Sequence, residues 1–185
     1  TNISVFDPNA LYVIHTSGRS GLVDASPEDL EDARSLVTEV RAVLTKRLSD
    51  RHPAQNLMSW RFFDFLTLSR LSETDTIAFA VAFRDLLRGP GDSAERVERF
   101  NAVFARMVGT AGPAATRSFP TLFLMLDRPQ EDIYVRTDLF TEVHRRLYGA
   151  PLFNNAPLSA AEYRAVKDTA AALRATLEAW GWRPV

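Results

Sequence analysis

Five consecutive apolar residues, Leu122-Phe123-Leu124-Met125-Leu126, follow closely on Pro120 and are cut off by Asp127 and Pro129. A run with no polar face cannot lie on a surface, so the fold must be built around it. Proline suits the first turn of a helix, where its missing N–H is no loss, and the run is therefore expected to be a short buried helix opening at Pro120. Beyond Pro129, the stretch 132–135 should cross in extended form, and Thr137 should cap a second helix that stops at Gly149. The segment before the run, VGTAGPAATRS over 108–118, is small, polar and glycine-containing. It reads as an exposed connection.

The rest of the chain is written in helical code. Ser26-Pro27-Glu28-Asp29 is a strong helix start, and Leu30, Ala33, Val37, Val40, Leu44 and Leu48 follow at three-to-four spacing. A second helix over 56–71 carries aromatic residues too densely for a narrow stripe. A third begins at Ser72, holds Ile77, Phe79, Phe83, Leu86 and Leu87, and stops at Gly89-Pro90-Gly91. The fourth begins at Asp92 or Ser93 with Val97, Phe100, Val103, Phe104 and Met107 inward, which leaves Arg96, Arg99 and Arg106 on the outer side. After a turn-rich loop at 150–158, Ser159-Ala160-Ala161-Glu162 is a capping box that launches the last helix. Its inner stripe is Tyr163, Val166, Ala170, Leu173, Leu177 and Trp180, and Gly181 ends it. The N-terminal 25 residues are irregular, with one β-prone run at 11–14. The expectation is a single all-α domain over 1–185 of about seven helices, with at most a short N-terminal β element.

Composition narrows the function. At 185 residues, 46% hydrophobic and 24% charged, the chain can bury a substantial core. It has no cysteine, which rules out disulfides and thiolate chemistry and fits a reducing cytoplasm. No apolar stretch is long enough to span a membrane, and the first residues lack a secretory pattern. The chain opens at Thr1 and stops just after an aromatic cluster, so a fragment of a longer protein is expected.

His15, His52 and His144 are far apart and none sits at ligand spacing, so a metal site is not expected. Neither a nucleophile-elbow G-x-S-x-G nor a phosphate-loop spacing occurs. No catalytic residue and no cofactor are therefore assigned. The net charge of -1 supplies no bulk attraction to nucleic acid, yet 20 of the 22 basic residues are arginine. Arginine contacts phosphate bidentately and stacks on bases, so the bias is compatible with DNA binding. A GC-rich coding sequence would produce the same bias. If the third and fourth helices pair, Arg88 and Arg96 meet in a basic corner. Arg88, Arg96, Arg99, Arg117, Arg136, Arg145 and Arg146 are the candidate phosphate contacts. Arg145 and Arg146 also sit in a last helical turn, where cations are favoured for their own sake.

The apolar helix at a proline, D-x-P, the extended crossing and a helix closing in Leu147-Tyr148-Gly149 together resemble a segment upstream of the motor in McrB-like AAA+ restriction proteins. The stretch AEYRAVKDTAAALRATLEAWGWRPV is similar to the helix that closes that region. The likeness covers roughly residues 117–185 and contains no catalytic group. It implies a non-catalytic recognition module of a restriction or antiviral defence system that binds double-stranded DNA, including modified DNA. The competing expectation is a protein-interaction module, an adaptor or oligomerisation platform. That reading predicts an exposed apolar patch and no continuous positive surface.

Overall fold

The structure is a computed structural model that describes residues 27–45, 68, 70–108, 112–154 and 156–183. The β-prone run at 11–14, the Ser26 cap and most of the aromatic helix expected over 56–71 lie outside the described residues. Six helices are present among the described residues: α1 (Pro27–Thr45), α2 (Glu73–Arg88), α3 (Ser93–Met107), α4 (Gly112–Asp127), α5 (Thr137–Tyr148) and α6 (Ala160–Ala179). The described chain is all-α and contains no strand. α2 lies against α1, α3 and α4, α3 also contacts α4 and α6, and α5 rests on α4.

Local chemistry explains most of the boundaries. The Ser72 side chain accepts from Asp75 N–H and starts α2, Asp92 accepts from Glu95 N–H and starts α3, and Ser159 and Glu162 form a complete capping box for α6. Asp92 is also held by Arg164, whose Nε and Nη2 lie 3.0 and 2.8 Å from Oδ2. The Glu95 amide first, and then the Arg164 guanidinium, keep the Asp92 carboxyl below its usual range.

A carboxyl whose folded value is depressed stabilises the fold above its unfolded value and loses that contribution as pH falls through the folded one. Asp92→Ala should therefore cost about 1 kcal/mol near neutral pH. Asp92→Asn keeps the cap and should cost less. The gap between wild type and the alanine variant should narrow on acidification, and a gap constant from pH 7 to pH 3 in urea titrations would discount the charge.

The core is aromatic. Phe79, Phe83, Phe100, Phe104, Phe119 and Phe123 are all fully buried, with contributions from α2, α3 and α4. Phe119 stands among the other five at centroid distances of 4.6 to 6.3 Å, stacked on Phe100 and Phe104 and edge-on to Phe79 and Phe83. Leu122, Phe123 and Leu124 are buried as expected, while Met125 and Leu126 are half-buried at its margin.

Three sequence expectations are corrected by the structure. Pro120 does not open its helix: α4 begins at Gly112 and carries Pro120 in its interior. Residues 112–118 are accordingly helical rather than an exposed connection, and 115–118 are buried. The physical reason is a substituted hydrogen bond. Pro120 has no N–H for the carbonyl of Thr116, one turn earlier, and the Asn101 side chain on α3 donates to that carbonyl instead, at 3.0 Å. The same Asn101 amide also donates to Leu158 O at 3.0 Å, so one buried side chain ties α3, α4 and the approach to α6. A third correction concerns α5. Its N-cap position is Arg136, which makes no capping bond, and Thr137 is its first helical residue.

Candidate interaction surface

The seven arginines singled out from sequence do not converge. Arg88 forks onto the Asp127 carboxylate, which is itself almost wholly buried, with Nη2–Oδ1 at 2.7 Å. Arg96 is buried, against the expectation of an outer-side position. It donates to Leu86 O at 2.9 Å and Gly91 O at 2.8 Å, closing the C-terminal end of α2 and the turn that follows. The two side chains expected to form a basic corner thus serve different partners. Arg99 pairs with Asp85 at 2.8 Å and donates to Pro90 O at 2.7 Å, and its Asp85 bond chiefly raises its already high pKa.

Arg117 lies inside the protein. Its Nη2 donates to Asn154 O and Ala156 O, its guanidinium stacks over Phe153 at 4.7 Å, and burial lowers its pKa. On α5, Arg145 and Arg146 both bind Glu142, at 3.0 and 2.7 Å, and the Arg146 bond above all holds that carboxyl low. Arg136 is exposed, and no carboxylate pairs with it among the described residues. Four of the seven, Arg88, Arg96, Arg99 and Arg117, are committed to the fold itself, and phosphate would have to displace those partners. Arg136, Arg145 and Arg146 share the remaining surface on and beside α5.

A second constellation was not foreseen. Asp132, nearly fully buried in the crossing between α4 and α5, accepts from Tyr163 Oη at 3.2 Å and Lys167 Nζ at 3.3 Å through Oδ1. Lys167 also donates to Ser93 Oγ at 3.1 Å. Tyr163 accepts from Ile133 N–H at 3.1 Å, and burial pushes its phenol strongly up, so it keeps its proton as a donor. A lysine, a serine and a tyrosine within bonding distance invite a catalytic reading. The geometry gives another: Lys167 donates to the serine oxygen, whereas a base would have to accept its proton. The cluster binds α6 to α3 and to the crossing. Glu162, five residues before Lys167 on α6, turns away from it to Ser159 and to Asn154 N–H. Among the described residues no group of three His, Cys, Asp or Glu side chains could hold a metal ion, and no helix is long and apolar enough to cross a membrane.

What the surface does offer is apolar. Leu139, Leu147 and Tyr148 on α5 are exposed, with Tyr148 against His144 at 4.6 Å. The larger feature is the end of α6. Its stripe is buried at Tyr163 and Val166, half-buried at Ala170 and Leu173, and then emerges: Leu177 is 38% exposed and Trp180 78%. Trp180 is thus not on the inner side: the last turn of α6 carries it into solvent. Gly181 takes a φ of +87°, and Trp182 N–H returns to Leu177 O at 3.0 Å while Gly181 N–H bonds Glu178 O at 2.9 Å. This is a Schellman closure, which only glycine adopts easily and which brings the next residue back over the last turn. Trp182, 48% exposed, therefore belongs to the same tip as Leu177 and Trp180. The signal in the sequence was the heptad-like stripe running on to a Gly-Trp pair.

Comparison with models of known protein families, with curated proteins and with solved structures finds no match to this chain.

Proposed function

We propose that this chain is a non-catalytic protein-docking module whose contact is the exposed tip of α6, the alternative to the DNA recognition that the McrB-like resemblance implies. One observation carries the reading: two tryptophans stand out in solvent on a helix end held firm by its own closure. Tryptophan is the residue most enriched among the energetic anchors of protein interfaces, and a rigid mount lowers the ordering cost of using it. The arginine distribution supports the same reading, since most of the candidate guanidiniums already serve internal partners.

Recognition of duplex DNA is the competing proposal, and the α5 surface with Arg136, Arg145 and Arg146 is where it would act. Fluorescence anisotropy with a labelled duplex at low and at physiological salt separates the two. The docking reading expects no complex at either. A complex that weakens steeply with salt and is lost when those three arginines become alanine would establish DNA binding in its place.

A further inference from the structure

Resting on that docking reading, we infer that the partner met by the α6 tip is a second copy of this chain, and that the two α6 helices pair antiparallel over residues 170–180. The seam is Ala170, Leu173, Leu177 and Trp180, spaced three, four and three apart, which is the spacing of a/d positions in a coiled coil. A twofold axis passing beside Ala175 brings Leu173 opposite Leu177 of the partner and Ala170 opposite the partner's Trp180. The smallest side chain then faces the largest, at both ends of the contact, so the layers fill without voids. A parallel pairing would instead set Trp180 against Trp180 and Ala170 against Ala170, with a clash at one end and a gap at the other.

Charge agrees with this arrangement. The flank of the seam carries Arg174 and Glu178, joined at 3.1 Å within one helix, so each copy presents a neutral pair that can exchange across the axis. The opposite flank is Ala172 and Thr176, without charge.

Size sets the strength. With Leu177, Trp180 and Trp182 exposed to this extent, the tip offers roughly 400 Å² of apolar surface per protomer. A stable interface takes about 800 Å² from each partner. The homodimer is therefore weak and concentration-dependent.

The test is sedimentation equilibrium at low to high micromolar protein. Wild type should rise from the 20.7 kDa monomer toward twice that mass. Leu173→Lys alone and Leu177→Glu alone should each stay monomeric, with helical circular dichroism confirming that they fold, and Trp180→Glu at the fully emergent position gives an independent loss. A 1:1 mixture of the Leu173→Lys and Leu177→Glu proteins should associate again. Only antiparallel pairing sets the new lysine against the new glutamate while leaving Leu177 of one copy on Leu173 of the other. Wild type that stays monomeric throughout, or a mixture that fails to associate, overturns the inference. A monomer that also ignores DNA leaves the docking reading standing with a different protein as partner, whereas salt-sensitive DNA binding removes the docking reading itself.

Discussion

Phe119→Ala is expected to remove about 4 kcal/mol of stability, the usual cost of emptying a buried phenylalanine site. The ring touches five other phenylalanines from three helices, so no single neighbour can swing in to fill the space. Against a total of about 5–15 kcal/mol, a loss of that size leaves a small margin. For a chain of this length the melting temperature should fall by roughly 8–16 °C. Phe119→Leu, which retains most of the volume, should cost much less. Calorimetry showing a drop of only a degree or two for the alanine variant would mean that the phenylalanine cluster is not the common centre of α2, α3 and α4.

Arg117→Ala is the second large effect, at about 3 kcal/mol, because two carbonyls of the loop before α6 lose a charged donor and Phe153 loses its stacking partner. Lysine at that position should recover only part of the loss, since an ammonium can reach the two carbonyls that Nη2 serves but cannot lie flat on the Phe153 ring. The loss should appear in urea titration, and DNA should bind no differently. A variant with wild-type stability would show a guanidinium free to leave its site, and would return Arg117 to the set available for phosphate.

Much of the helical layout was legible because helix ends are local events. Ser72, Asp92 and the Ser159–Glu162 box each satisfy amides within three residues, so their chemistry is complete in a short window of sequence. The Gly181 stop is local in the same sense. The inward positions of α2 and α3 followed from periodicity, and Phe79, Phe83, Phe100 and Phe104 are where spacing put them.

Where the reading missed, a distant residue had intervened. Nothing near Pro120 announces that Asn101 on another helix will supply the missing donor, so local rules start α4 eight residues too late. Arg96 shares a helix face with charged neighbours, and only the return of α2 beside α3 offers it Leu86 O and Gly91 O. Charge counting along a helix cannot tell a guanidinium that meets solvent from one that closes another helix.

The sequence by itself determined that this chain folds as amphipathic helices packed around the apolar run after Pro120, because apolar spacing and capping act within a few turns; it did not announce the aromatic centre around Phe119. Tertiary structure alone decided which arginines are structural, how a proline survives inside α4, and that the end of α6 carries Trp180 into solvent. Each of those outcomes depends on where a second helix begins or ends in space, and the pattern along one helix is blind to that.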